Sequence, residues 1–379
     1  MERLKPFIKW AGGKEKELPI ILNNLPQKFN RYVEPFVGGG SVYLSINSNV
    51  SIINDKSDEL MLLYQMIKNK DNEFHKSLDD INKNWVMLEK IVEESTDELL
   101  ELYKNYKKEN RELDNLIDKY MKNHEKELKK LLKEDLDINL YNLLIEIKKN
   151  LLSKITRMHK IEMQRGTMCD RDIIDNFETA LKSAYYMYFR YLYNNKTLLK
   201  LSDAFYTAVF YFIRDYCYSS MFRYNSNGEF NVPYGGISYN RKDFKKKMEY
   251  IKSKELVEKL NNTELYCLDF EKFCEKIKLN DNDFMFLDPP YDTEFSTYAK
   301  NDFDKNDQIR LANYLYNTKA KFMLVIKNTD FIYNLYKDKG FNIKIFDKKY
   351  LVSFMNRNDK QVEHLLITNY ELEGNDGKN

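Results

Sequence analysis

The sequence predicts a doubly wound α/β protein with a mostly parallel sheet, interrupted by a long and largely helical insertion. Three observations carry this. Strand-like and helix-like segments alternate at both ends of the chain. Most candidate strands, such as FMFL (284–287) and KFMLVI (321–326), are continuous apolar runs, which suits strands covered on both faces. Between the two ends, residues 71–165 hold neither glycine nor proline and are rich in Lys, Glu, Asn and Leu.

In chain order, YVEPF (32–36) reads as a short strand that runs into Gly38-Gly39-Gly40 and then a helix-like SVYLSI. A second strand, SIIND (51–55), ends in Asp55 and precedes a periodic helical segment, DELMLLYQMIK. From 71 to 165, Leu and Ile recur at helical spacing, as in KELKKLLKEDLDINLYNLLIEIKKNLL, so this range is expected to form a few long amphipathic helices. The alternation resumes with LYCLDF (265–270), FMFL, KFMLVI, FNIKIF (341–346) and HLLITNY (364–370). A helix, DKNDQIRLANYLYN, separates FMFL from KFMLVI. The sheet thus begins before residue 70 and resumes after about 260. The expected division is a discontinuous domain of 1–70 and 258–379, with 71–257 inserted and a charged helical part at about 71–180.

A chain of 379 residues with 43% hydrophobic residues is long enough for two cores. The four cysteines show no C-x-x-C pair, which points to reduced thiols, and four scattered histidines make a His-based metal site improbable. No metal is expected. The opening MERLKPFIKW lacks the apolar core of a signal peptide, and no stretch approaches ~18 apolar residues. The expectation is a soluble, cytoplasmic protein without a membrane partner. The overall charge of +2 does not by itself select a class of partner.

Residues 182–255 differ from the rest. They hold 13 Lys/Arg against 6 Asp/Glu, a local charge of +7, and 13 tyrosines. Basic charge interleaved with aromatic rings is the footprint of a nucleic-acid surface, although tyrosine is abundant throughout this chain.

Two strand ends carry the chemistry. Glu34-Pro35-Phe36-Val37-Gly38-Gly39-Gly40 opens the first turn, where glycines let backbone approach a ligand. Asp55 stands 21 residues past Glu34, at the next strand end, placed to bind ribose hydroxyls. An adenosine-containing cofactor follows, and NAD and S-adenosylmethionine both qualify. The pattern G-x-G-x-x-G is not met, since Val42 and Tyr43 stand near where a third glycine belongs. The glycines alone also fit a plain left-handed turn. Upstream, Phe7 to Lys14 (FIKWAGGK) can fold over a cofactor, with Lys14 on a carboxylate and Trp10 near a cation.

The run FMFL stops at Asp288-Pro289-Pro290-Tyr291. Asp288 offers a carboxylate and Pro289 a carbonyl whose backbone the following proline biases to extended. Together these are two acceptors for one exocyclic NH₂, and Tyr291 can lie flat on an aromatic base. Acceptors so placed orient the nitrogen lone pair toward an electrophilic methyl held in line. Alone, the tetrapeptide also reads as a strand terminator.

Taken in order, FIKWAGGK, YVEPFVGGGSVYL (32–44), IINDKSDELMLLY (52–64), FRYNSNGEFNVPYG (222–235) and DPPY resemble the Dam-type (class alpha) DNA adenine-N6 methyltransferases. The match covers about 1–70 and 180–370. The resemblance implies a Rossmann-like methyltransferase sheet, S-adenosyl-L-methionine as cofactor, double-stranded DNA as partner, and methyl transfer to N6 of a flipped-out adenine, with GATC as first guess. It implies cofactor roles for Trp10, Lys14, Glu34, Phe36, Gly38, Gly40, Asp55, Asp269, Phe270 and Asp288, and catalysis by Asp288, Pro289, Pro290 and Tyr291. It implies DNA contacts by Tyr218, Ser219, Arg223, Asn231, Pro233 and Tyr234. Ser219 and Ser220 stand where relatives that modify GATC often carry Asn-Gly, a departure that bears on the target sequence. Asn356, Arg357 and Val362-Glu363 resemble the C-terminal motif loosely. A restriction endonuclease counterpart is compatible with this family. The competing readings are a catalytically silent DNA-binding relative, a cytosine-N4 or RNA adenine methyltransferase, and a nicotinamide-dependent dehydrogenase, which leaves D-P-P-Y unexplained.

Overall fold

The computed structural model describes residues 3–109, 112–131, 140–290, 303–348 and 362–372. They fall into two compact units: Met1–Lys70 with Tyr250–Asn379, and Asp71–Glu249.

The first unit is built on seven strands: β1 (Arg31–Glu34), β2 (Val50–Asn54), β3 (Thr263–Tyr266), β4 (Phe284–Leu287), β5 (Lys321–Lys327), β6 (Asn342–Lys348) and β7 (Val362–Thr368). Their order across the sheet is β3-β2-β1-β4-β5-β7-β6. All neighbours from β3 to β5 are parallel, and β7 runs antiparallel to both β5 and β6. The central strands are fully buried, FMFL along its whole length, as a sheet with both faces covered requires. From β1 the chain winds outward to β2 and β3 on one side, and from β4 to β5 on the other. The switch point therefore lies between β1 and β4, whose register is Tyr32↔Phe284 and Val33↔Met285. At the amino ends of these two strands, Arg31 clamps the buried Asp283 through Nε (2.8 Å) and Nη2 (2.5 Å). That bidentate pair fixes the strands against sliding.

Three details depart from the expectation. SVYLSI supplies only one 3₁₀ turn, Tyr43–Ser45, not an α-helix. Three β-branched or aromatic residues (Val42, Tyr43 and Ile46) in a six-residue run give little helix propensity. Asp55 lies one residue beyond β2, not within it. The segment LYCLDF is a strand only as far as Tyr266; Asp269 instead caps the helix Phe270–Ile277, accepting the Glu271 N–H at 3.1 Å.

The helix Lys305–Asn317 begins in a reciprocal capping box, in which Asp304 accepts from the backbone of Asp307 while Asp307 accepts from that of Asp304. Among the described residues, no helix is long and apolar enough to cross a membrane.

The second unit holds the helices Asn72–Glu94, Thr96–Glu109, Leu113–Asn123, Glu125–Lys129, Leu140–Arg165, Asp170–Asn194 and Asp203–Tyr216. The described part of the glycine-free stretch thus folds as amphipathic helices, the longest Leu140–Arg165. Asp203–Tyr216 is buried on every side from Ala204 onward, which makes it the central helix of this unit. Trp85 packs on Tyr216, Phe212 and Tyr234 with ring centroids 4.4, 5.4 and 5.7 Å apart.

Candidate active site and nucleic-acid face

A cavity of about 360 Å³ opens at the carboxyl ends of β1, β2 and β4, at the switch point of the sheet. Glu34 follows from β1, Asp55 from β2 and Asp288 from β4, so three carboxylates distant in sequence converge on one wall.

Lys14 reaches this wall from the amino-terminal segment. Its ammonium donates to the Gly12 carbonyl at 2.9 Å and to Oδ1 of Asp288. Lys14 is 2% exposed and Asp288 17%. An ammonium so deeply placed needs such a partner. Pro289 is buried and Pro290 exposed. The Pro290 carbonyl accepts from Nε2 of Gln308 at 3.0 Å. Tyr291 lies outside the described residues, as do Asn356 and Arg357.

The glycine loop is shaped by close contacts. Gly38 and Gly40 adopt φ of 49° and 77°. A Cβ on Gly38 would lie 2.9 Å from Cδ1 of Trp10, and one on Gly40 would lie 2.5 Å from the Tyr64 hydroxyl. Only glycine fits both the conformation and the space. The Tyr64 hydroxyl donates to the Gly38 carbonyl at 3.1 Å, and the Gly38 N–H donates to Oδ2 of Asp55 at 3.0 Å. The other oxygen of Asp55 accepts from the Ser57 N–H at 3.0 Å. Burial raises the Asp55 carboxyl above its usual range, and these backbone donors oppose the rise. Glu34 is 2% exposed, and its Oε2 accepts from the Tyr32 hydroxyl at 2.5 Å. Burial pushes its pKa well up; the Tyr32 hydrogen bond pulls it down, and Asp288 and Asp55 push it further up.

The far end of the cavity is aromatic. Phe36, Phe270 and Phe303 stand with ring centroids 5.6 to 5.8 Å apart. Beside them Arg310 holds Oδ2 of Asp269 at 2.9 Å and Oε2 of Glu271 at 2.8 Å, with its guanidinium 4.8 Å from the Phe270 ring centre. For Asp269 burial acts to raise the pKa, but Arg310 and the Glu271 N–H outweigh it and the net shift is downward. An apolar, aromatic lining edged by a carboxylate suits a purine with an exocyclic amine. Half-buried Asp55 beyond the glycine loop suits a pair of hydroxyls. The donor set therefore fits an adenosine-containing cofactor.

In the second unit, residues 217–234 form a narrow antiparallel ribbon, bridged at Cys217↔Tyr234 and Tyr224↔Phe230. The Tyr218 N–H donates to the Pro233 carbonyl at 2.8 Å. Exposed Arg223 donates through Nε to Oδ1 of Asn231 at 3.2 Å, which orients the guanidinium and leaves its terminal amines outward. Tyr218, Ser219 and Pro233 are also exposed. Tyr234 is not: it is 7% exposed, packs on Trp85, and donates to Asn240 at 2.9 Å. Of the 13 tyrosines at 182–255, eight are buried, and Lys182 and Arg214 are buried as well. Lys182 is bound to Glu178 at 2.6 Å and Arg214 lies 3.6 Å over the Phe222 ring. Much of the basic, aromatic signal in this stretch is therefore core.

A family model described as D12 class N6 adenine-specific DNA methyltransferase matches residues 10–172 and 159–352. The chain belongs to this family. Its sheet is a Rossmann-like methyltransferase sheet, and the activity of the family requires a methyl donor. Relatives include the type II methyltransferase M.MjaIII of Methanocaldococcus jannaschii, 29% identical over 97% of this chain and 99% of the relative. The type II methyltransferase M.CviBI of Paramecium bursaria Chlorella virus NC1A is 25% identical over 97% and 100%. The DNA adenine methylase of Salmonella typhi is 25% identical over 87% and 82%.

Several residues that brace the cavity carry little signal of that role in the sequence. Asn54 donates to the carbonyls of Pro35 and Leu268, both at 3.0 Å, and accepts from the Leu268 N–H at 2.8 Å. It thereby ties the segments after β1, β2 and β3 together. Its only sequence signal is its place before Asp55. Tyr64, Gln308 and Arg310 sit on helices whose apolar periodicity says nothing of what their polar ends touch.

Proposed function

We propose that this protein transfers a methyl group from S-adenosyl-L-methionine to N6 of an adenine extruded from duplex DNA, in GATC or a related site. The observation that carries this reading is the Lys14–Asp288 pair at the switch point, which puts an oriented carboxylate beside the glycine loop. Trp10, Lys14, Glu34, Phe36, Gly38, Gly40, Asp55, Asp269 and Phe270 would hold the cofactor. When bound, it supplies an electrophilic methyl on sulfur. An adenine within a duplex cannot reach Asp288, so it is flipped out.

The chain's own residues then act by position. Lys14 holds Oδ1 of Asp288 and so orients the carboxylate, which accepts one proton of the amine. The Pro289 carbonyl takes the other. The nitrogen lone pair is thereby aimed, and no strong base is required because the proton leaves as the methyl arrives. Tyr291 stacks on the base. The ribbon 217–234 reads sequence: Arg223 suits bidentate contact with guanine O6 and N7, and Tyr218 enters the space vacated by the base. The sheet unit carries the chemistry and the inserted unit the recognition. The names of the type II relatives support a restriction endonuclease as counterpart.

The test is tritiated-methyl transfer to unmethylated DNA, with modified adenines located by sequencing. Asp288→Ala should lose transfer and keep DNA binding on filters. Robust transfer by that variant would refute the assignment.

A further inference from the structure

The turn after β4 has a structural problem. Pro289 and Pro290 supply no N–H, so the turn has two fewer backbone donors to tie it down, and its carbonyls need donors from elsewhere. One comes from the helix Lys305–Asn317. Gln308 is wholly buried and donates Nε2–H to the Pro290 carbonyl at 3.0 Å. Its Oε1 is also buried and has no hydrogen-bond partner among the described residues. A buried acceptor left unpaired costs stability. Packing therefore does not explain an amide at 308; the bond to Pro290 does.

We propose that Gln308 is a positioning residue that fixes the Asp288-Pro289-Pro290 turn, and through it the two acceptors offered to the amine. The inference rests on the function proposed above. Gln308 lies in the first turn of a helix whose start is locked by the Asp304–Asp307 capping box. Two residues on, Arg310 grips Asp269 at the aromatic end of the cavity. One rigid helical turn thus sets the catalytic corner and the purine slot in a single frame. Released from Gln308, the Pro290 carbonyl is free to turn and carries the Pro289 carbonyl with it. A displacement on the order of 1 Å at a reacting group costs roughly 100-fold in rate.

The full-length wild type is compared with Q308L and Q308E, using tritiated S-adenosylmethionine and unmethylated plasmid DNA. Q308L keeps the volume and removes the donor. Its kcat should fall by on the order of 100-fold, with the KM values for cofactor and DNA unchanged. Q308E donates only as the neutral acid. Its kcat should approach that of the wild type at low pH and fall as pH rises through the carboxyl pKa, a limb the wild type lacks. Amide hydrogen exchange across 284–288 should quicken in Q308L. Wild-type kcat and exchange in Q308L would overturn the inference. So would equal losses in both variants at every pH, because the neutral carboxyl of Q308E keeps a donor. A wild type that transfers no methyl would refute the functional reading instead, and the exchange comparison would still decide whether Gln308 holds the turn.

Discussion

The Lys14 ammonium and the Asp288 carboxylate meet across 274 residues of sequence, and Lys14 is the more deeply buried of the two. Removing one partner therefore does more than remove a reactive group. Asp288→Ala strands a buried ammonium, and such losses cost about 3 kcal/mol or more. The expected outcome is a large drop in the urea midpoint together with loss of methyl transfer. The double variant Lys14→Met with Asp288→Leu should recover most of the stability and none of the activity. A double variant as unstable as Asp288→Ala would show that the pair is not what holds this corner.

Lys14→Ala should chiefly weaken cofactor binding, because the segment bearing Trp10 and Gly12 is anchored through this ammonium. Titration calorimetry reads the affinity directly. An unchanged dissociation constant would argue against that anchoring.

Glu34 makes stability depend on pH. Burial raises its carboxyl well above the ordinary 4.5, so the folded chain holds this proton more tightly than the unfolded one. The contribution is fully present below about pH 4.5 and is lost as pH rises through the folded value. Glu34→Gln removes the titration. Relative to wild type, the variant should gain up to about 1.4 kcal/mol per pH unit across that window and then level off. Urea melts at a series of pH values check this, and parallel profiles for the two proteins would contradict it.

The central architecture was legible because its signals are local: apolar runs at 284–287 and 321–326, and glycines at 38–40 beside an acid at 55. Even the clash that requires glycine at 40, with Tyr64, arises between the loop after β1 and the helix Asp58–Lys68 that follows β2. What stayed hidden was tertiary. Nothing in a periodic helix announces that Gln308 points at Pro290 or that Arg310 holds Asp269. The basic, tyrosine-rich stretch misled in degree for a related reason. Composition cannot tell a tyrosine on the surface, such as Tyr218, from one turned into the core, such as Tyr234.

Ser219 and Ser220 adopt φ of 54° and 52°, the left-handed region. Asn and Gly are the residues that accept this conformation at low cost. Ser220→Gly should stabilise the protein by up to about 1 kcal/mol. Ser220→Val should destabilise it, since a β-branched residue tolerates positive φ poorly. Thermal unfolding of both variants reads the sign. A stabilising valine would mean that the loop does not hold this conformation in solution.

Gly40 lies directly against Tyr64. A methyl on Gly40 would sit 2.5 Å from the Tyr64 hydroxyl, at a φ of 77°. Gly40→Ala therefore has two costs: backbone strain, and displacement of the hydroxyl that holds the Gly38 carbonyl. The second reaches the cavity directly, because the Gly38 N–H is the donor to Asp55. Cofactor affinity should fall by roughly 10-fold or more, the scale of one lost hydrogen bond to a charged group. Tyr64→Phe alone removes the hydroxyl and should weaken binding only modestly. Combined with Gly40→Ala it removes the clashing atom and leaves only the strain. The double variant should accordingly bind more tightly than Gly40→Ala alone, an effect of opposite sign to simple addition of the two losses. Calorimetric titration of the four proteins measures this coupling, and additive losses would show that the loop yields to the methyl without passing through Tyr64.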